Sequence, residues 1–212
     1  MKRFVSAVCL ASAIACAASV QAQTLDTLLY AARNGDASVV LDLLERGAWL
    51  DTVDEDGNTL LMQAINASES GLASILIDAG AKLDNRNRHG DTALQLAALH
   101  GNEAVARQLL DSGAAVDQPG WTALHYAAFS GHVTIAQLLL RQAANPDAIA
   151  SNGATPIMMA ARNGHREVVR LLLRDRADLM VRDQDGATAL TLALRARNTD
   201  IANDLRAAGA RE

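Results

Sequence analysis

Five histidines are the residues of this chain whose chemistry most readily suggests a metal site. Zinc on a helix needs two such ligands at i and i+4, usually with cysteine partners, and no two histidines have that spacing. His125, His132 and His165 instead recur in phase with a repeated pattern, which indicates a structural role. His89 and His100 fall outside that pattern and are expected at the surface. We therefore predict no bound metal.

Two acidic clusters raise the question of calcium: Asp54-Glu55-Asp56 and Asp183-Gln184-Asp185. A calcium loop of the helix–loop–helix type needs about twelve residues and a late bidentate glutamate, and both clusters lack these features. We interpret them as the solvated tips of turns, because surface turns commonly carry charged residues.

The motifs that would support catalysis are missing from the sequence. A serine nucleophile on a strand–helix turn would need G-x-S-x-G, and a phosphate-binding loop would need G-x-x-x-x-G-K-[ST]. The carboxylates lie among short helical segments, which form no deep cleft that could raise a pKa for acid catalysis. We predict that the protein is not an enzyme and has no cofactor.

The first 22 residues have the composition of a signal peptide. Met1 to Arg3 form a basic start, residues 4–20 are uncharged and largely apolar, and Val20-Gln21-Ala22 places small residues at the cleavage positions. We expect cleavage after Ala22, a mature domain over residues 23–212, and a location in the periplasm of a bacterium or outside the cell. The mature chain would not remain in the membrane.

Both cysteines, Cys9 and Cys16, fall inside this leader, so the mature chain would have no disulfide. Lipoprotein processing at Cys16 stays an alternative, although the large aliphatic residue expected three positions earlier is replaced by Ala13. The formal net charge is −5, and the leader holds basic but no acidic residues. An acidic surface excludes nucleic acid as a partner, because phosphates require positive charge.

The strongest pattern is a repeat with a period close to 33 residues, and such a period defines an architecture before any single residue does. Glycines separated by 33, 30, 33 and 33 residues mark it: Gly57, Gly90, Gly120, Gly153 and Gly186. Threonine follows each glycine after two positions, and alanine follows after seven. These are Thr59, Thr92, Thr122, Thr155 and Thr188, then Ala64, Ala97, Ala127, Ala160 and Ala193.

Each unit contains two apolar segments with helical spacing. The threonines can cap the first helix, and Pro156 suits the first helical position because its missing N–H would be unpaired there anyway. Glycine ends the second helix at Gly47, Gly80, Gly113 and Gly209. Ala143 and Arg176 occupy the same position, so we expect them to adopt the left-handed conformation at a cost in free energy.

Two segments carry the clearest form of the unit. They are Thr122-Ala123-Leu124-His125-Tyr126-Ala127 with Gly131-His132, and Thr155-Pro156-Ile157-Met158-Met159-Ala160 with Gly164-His165. This pattern resembles the ankyrin repeat, a 33-residue helix–turn–helix unit with the signature T-P-L-H-x-A. The resemblance implies an all-α ankyrin-repeat solenoid of about six units joined by short hairpin-like fingers. The units start near 24, 57, 90, 120, 153 and 186, and the first and last are caps.

The resemblance also implies that residues beside the turn glycine, and those before the break between the two helices, face a concave groove. Arg86 and Ser151 are among these positions. From them we predict ten partner-binding residues: Arg88, His89, Asp91, Leu99, His100, Trp121, Phe129, Ser130, Arg162 and Asn163.

The fourth unit is the most promising part of this groove. Its turn before Gly120 is three residues shorter than its neighbours, which predicts a gap in the row of fingers. Trp121 and Phe129 take groove positions there, and we expect both to be exposed, whereas Tyr126 is expected in the core. The alternative for Trp121 is that the shortened turn lets it fold down into the space left by the missing finger and serve a structural role. An exposed aromatic pair is typical of a binding hot spot.

These observations favour a protein-interaction module that supports or regulates an exported partner protein of unknown identity. An exported effector that binds a host protein is an alternative, and an unrecognised hydrolase is a weaker one. Partner capture would separate the first two, and turnover by the purified chain would favour the third.

Overall fold

The computed structural model describes residues 25–211, and these residues form helices joined by turns and loops. The helices are α1 (residues 25–33), α2 (Ala37–Glu45), α3 (Leu60–Asn66), α4 (Ser70–Asp78), α5 (Ala93–His100), α6 (Glu103–Asp111), α7 (Ala123–Ser130), α8 (Val133–Arg141), α9 (Pro156–Asn163), α10 (Arg166–Arg174), α11 (Ala189–Arg195) and α12 (Thr199–Ala207).

The helices form two layers. The first helices of successive units pack in the order α3, α5, α7, α9 and α11, and the second helices α4, α6, α8, α10 and α12 pack beside them. The core between the layers is rich in alanine and leucine, and all five repeated alanines are fully buried. Small side chains at these positions let neighbouring helices approach closely. The all-α solenoid expected from the sequence is confirmed.

Threonine begins most of the first helices, as the sequence predicts. The hydroxyls of Thr59, Thr92, Thr122 and Thr188 each accept a hydrogen bond from the backbone N–H three residues later. Thr155 differs, because its buried hydroxyl has no hydrogen-bond partner and Pro156 occupies the first position of α9.

The second helices end in the left-handed conformation. Gly80 and Gly113 have φ values of 85° and 90°, and Ala143 and Arg176 both have φ 61° at the equivalent position. The prediction that two non-glycine residues take this strained geometry is therefore confirmed.

Aspartates fix the spacing between consecutive units. In four places a side-chain carboxylate accepts a hydrogen bond from a backbone N–H of the next unit. The pairs are Asp51 with Lys82 (2.8 Å), Asp84 with Ala115 (3.0 Å), Asp117 with Asn145 (3.0 Å) and Asp147 with Asp178 (2.7 Å). These four contacts tie the first five units to one another, in addition to their shared core.

The predicted signal peptide over residues 1–22, its cleavage site and both cysteines lie outside the described residues. Among the helices of residues 25–211, none is both long enough and apolar enough to span a bilayer.

Candidate functional site

The loops that precede the first helices project as fingers along one edge of the solenoid. We define the second to sixth fingers as residues 51–58, 84–91, 117–121, 147–154 and 180–187. Backbone hydrogen bonds join two adjacent pairs of fingers. Arg88 N donates to the Asp56 carbonyl at 2.8 Å, and Gln184 N donates to the Asn152 carbonyl at 3.1 Å.

The short fourth finger interrupts this row. Within residues 25–211, no backbone hydrogen bond joins the fourth finger to the third or the fifth. Side chains hold it instead: the guanidinium of Arg86 donates to the Pro119 carbonyl at 2.6 Å, and the amide of Gln95 donates to the Trp121 carbonyl. Because the fourth finger is three residues shorter, side-chain hydrogen bonds take the place of the backbone hydrogen bonds that join other fingers.

A pocket of about 510 Å³ opens above the fourth finger, between the third and the fifth. It is lined by Arg86, His89, Gly90, Asp91, Pro119, Gly120, Trp121, Tyr126, Phe129 and Ser151. The gap predicted from the short turn is thus present, and side chains from three fingers and α7 surround it.

Three aromatic rings form one wall of the pocket. The centre of the Trp121 ring lies 5.3 Å from that of Tyr126 and 5.9 Å from that of Phe129, in tilted and edge-to-face arrangements that favour aromatic attraction. Phe129 is 42% exposed, as expected. Trp121 is half-buried and packs against the core, so the expectation of an exposed Trp121 was wrong. The short finger lets this side chain fold down beside Tyr126.

Tyr126 was expected in the core, and this was also wrong. Its ring is half-buried at the pocket, and its hydroxyl donates a 2.6 Å hydrogen bond to the carboxylate of Asp91 on the third finger. Burial is the main cause that raises the pKa of Tyr126, and the contact with Asp91 raises it further. The phenol therefore remains protonated and keeps this bond. Tyr126 thus joins the fourth unit to the third across the gap.

His125 joins the start of α7 to the fifth finger, next to the pocket. Its fully buried ring accepts a hydrogen bond at Nδ1 from Thr122 N (3.1 Å), which leaves Nε2–H to donate to the Ala154 carbonyl (3.0 Å). This network assigns the neutral tautomer. Burial lowers the pKa of His125, because desolvation disfavours the charged form, and the bond to Ala154 opposes this only in part.

Two further histidines bond the backbone of the preceding unit. His132 Nε2 lies 3.2 Å from the Leu99 carbonyl, and His165 Nε2 lies 2.9 Å from the Phe129 carbonyl. The structural role predicted for the recurring histidines is confirmed. In the described part of the chain, no group of three or more His, Cys, Asp or Glu residues is arranged to hold a metal ion.

The first aspartate of each acidic cluster, Asp54 or Asp183, accepts backbone hydrogen bonds within its finger, while the other members of both clusters are exposed as expected. The Asp54 side chain is 4% exposed and accepts hydrogen bonds from the backbone N–H groups of Asp56 and Asn58 and from Arg33. Burial alone would raise the pKa of Asp54, but the hydrogen bonds from Asn58 and Arg33 lower it. For Asp54, the expectation of a solvated charge was therefore wrong.

The ten predicted binding residues divide into two groups. His89, Asp91, Trp121 and Phe129 meet at the pocket, and Arg88 is exposed on the third finger beside them. The others lie at the C-terminal ends of first helices, outside the pocket lining: Leu99, His100, Ser130, Arg162 and Asn163.

Some of this second group make structural contacts. His100 Nε2 lies 3.1 Å from the Asn66 side-chain oxygen, and the Asn163 amide donates to the Phe129 carbonyl at 2.8 Å. Arg162 is exposed. Sequence reasoning missed Tyr126. The sequence did contain one signal for this contact. Asp91 follows the turn glycine Gly90, and it offers a carboxylate near an aromatic residue of the following unit.

A two-layer helical solenoid with projecting fingers and a side pocket is a binding scaffold. The sequence matches the family profile for ankyrin repeats (3 copies) over residues 28–119, 65–150 and 142–211. The chain belongs to the ankyrin-repeat family, whose repeats are protein–protein interaction modules.

Solved structures agree with this assignment. An ankyrin repeat domain from Acinetobacter baumannii is 31% identical, with a TM-score of 0.77, and the match covers 87% of this chain and 98% of that one. The ankyrin repeat domain of Bcl-3, described as a unique member of the IκB protein family, is 29% identical with a TM-score of 0.75, covering 87% of this chain and 86% of that one. No curated protein matches the sequence significantly.

Proposed function

We propose that this protein is an exported binding module that docks a partner protein in its concave groove, with the pocket above the fourth finger as the anchor site. The observation that carries the proposal is the meeting of Trp121, Tyr126 and Phe129 beside a gap in the fingers. Aromatic residues in a partly desolvated pocket supply most of the binding free energy in many interfaces. Polar residues at the rim add orientation.

Export is proposed from the leader alone. The basic start, the apolar run and the small residues before Gln23 support secretion to the periplasm or beyond. N-terminal sequencing of the exported protein should begin at Gln23. A secreted chain that begins at Met1, or one with an acylated Cys16 at its N-terminus, would contradict this proposal.

Affinity capture tests the binding function with two matched variants. Phe129 and Val133 are exposed apolar residues of the same unit, 42% and 37% accessible, but only Phe129 lines the pocket. Phe129→Ala should weaken binding of the captured partner by about 2 kcal/mol, as expected for a hot-spot residue. Val133→Ala should leave it unchanged, because that side chain lies on α8.

Capture from two extracts identifies the class of partner. A partner from the organism's own periplasmic extract supports a role in stabilising or regulating an exported protein. A partner found only in a host lysate supports the alternative role as an exported effector. Equal binding by the wild type and both variants would reject the pocket as the anchor.

A further inference from the structure

The third finger carries two arginines, one of which lines the pocket. It carries Arg86, Arg88 and His89 together with Asp84 and Asp91, whereas the second finger has three consecutive acidic residues at 54–56. The formal net charge of the chain is −5. Asp84 accepts a hydrogen bond from Ala115 N and Asp91 accepts one from the Tyr126 hydroxyl, so both acidic groups of this finger already have partners in the protein.

Arg86 is held in place at the pocket. Its Nε donates to the Gly90 carbonyl at 2.8 Å, and one terminal nitrogen donates to the Pro119 carbonyl at 2.6 Å. These contacts leave other N–H groups of the exposed guanidinium available. Among the described residues, neither Arg86 nor Arg88 forms an ion pair. Both cations thus lack a carboxylate partner among residues 25–211.

One carboxylate lines the pocket, and it already has a partner. The Tyr126 hydroxyl donates to Asp91 at 2.6 Å, and the backbone N–H of Asp91 is held by the Asn87 side chain at 2.9 Å. Asp91 therefore serves to position the aromatic wall, while Arg86 and Arg88 of the same finger form no ion pair with any residue that the structure describes.

The aromatic wall lines the same pocket as Arg86. Trp121 and Phe129 stand across the pocket from the third finger, and the volume of about 510 Å³ is enough for one or two side chains of a partner. A ligand that fills this space meets an apolar surface on one side and a fixed guanidinium on the other.

We propose that the pocket takes a partner segment that places an aliphatic or aromatic side chain against Trp121 and Phe129 and an adjacent carboxylate on Arg86 and Arg88. This inference rests on the proposed function. Carboxylates fit the planar fork of a guanidinium, and a guanidinium that is already positioned loses little side-chain freedom when it binds. The opposite preference, for basic segments, would leave two arginines facing like charges.

Selection of random peptides displayed on phage tests this preference directly with the purified chain. The selected peptides should carry Asp or Glu next to a large apolar residue. Synthetic copies of the selected peptides should lose affinity about tenfold in Arg88→Glu, because a charge opposite the peptide carboxylate is reversed. Arg107→Glu is the matched control, since it makes the same change of net charge at an exposed position on the second helix α6.

The outcomes distinguish a failure of the acidic preference from a failure of the pocket as a binding site. Peptides that lose binding in Phe129→Ala but not in Arg88→Glu, or that are enriched in Lys and Arg, would overturn the acidic preference and leave the pocket as a binding site. Selection that yields no peptide sensitive to Phe129→Ala would overturn both. Equal losses in Arg88→Glu and Arg107→Glu would show a general charge effect and would also overturn the inference.

Discussion

At the scale of single residues, two chemically different side chains make equivalent hydrogen bonds in neighbouring units. His125 accepts from Thr122 N and donates to the Ala154 carbonyl, while Gln95 accepts from Thr92 N at 2.6 Å and donates to the Trp121 carbonyl. Both reach from the start of a first helix to the residue after the next turn glycine. Glutamine does this without a titratable group.

This equivalence predicts a pH effect that His125→Gln should remove. Because burial lowers the folded-state pKa of His125, the unfolded chain takes up a proton at a higher pH than the folded chain does. Stability is therefore fully present above the unfolded pKa of about 6.5 and falls as the pH drops below it, by at most about 1.4 kcal/mol per pH unit. Protonation at Nδ1 would also break the bond from Thr122 N.

Urea unfolding at several pH values between 8 and 5 measures this effect. The wild type should lose more stability than His125→Gln towards pH 5, while the two should be similar near pH 8 because glutamine can make both hydrogen bonds. All other titrating groups are shared, so the difference isolates His125. Parallel pH curves for the two proteins would show that the ring is protonated without cost.

At the scale of secondary-structure elements, the ends of the second helices show what glycine contributes. Ala143 and Arg176 have φ 61° where other units use glycine, and a Cβ in this conformation costs about 1–2 kcal/mol. Glycine would remove that strain, but it also gives the unfolded chain more freedom, which offsets about 0.5–1 kcal/mol. The net change should still favour the folded state.

We expect Ala143→Gly and Arg176→Gly each to raise the free energy of unfolding by about 0.5–1 kcal/mol in denaturant titrations. Gly113→Ala is the reciprocal control. A Cβ added at Gly113 meets no atom within 4 Å, so only backbone strain should lower its stability. If both glycine variants are less stable than the wild type, the left-handed geometry is not the controlling factor at these ends.

The sequence predicts elements better than it predicts the depth of a side chain. The repeated glycines and threonines give the helix boundaries because their requirements are local: a capping hydroxyl or a positive φ. The burial of Trp121 and the bond from Tyr126 to Asp91 depend on the distance between units after three residues are lost from one finger. That distance follows from packing, so the pattern located the gap correctly but not the side chains that fill it.

At the scale of the whole molecule, the short fourth finger makes an otherwise regular solenoid asymmetric. Backbone bonds link the second finger to the third and the fifth to the sixth, while side chains such as Arg86 and Gln95 hold the finger between them. Repeat proteins are stabilised mainly by contacts between neighbours, so the helices can stack continuously while the fingers diverge. The proposed binding site thus lies where the row of fingers is irregular, although the helical core beside it is regular.

Amide hydrogen exchange on the free chain and on its complex with the captured partner tests the location of this site most directly. We predict that binding protects the third and fourth fingers and α7, residues 84–91 and 117–130, and leaves the second helices α6 and α8 unchanged. Protection confined to the second helices or to the terminal units would contradict the claim that the partner docks at the pocket above the fourth finger.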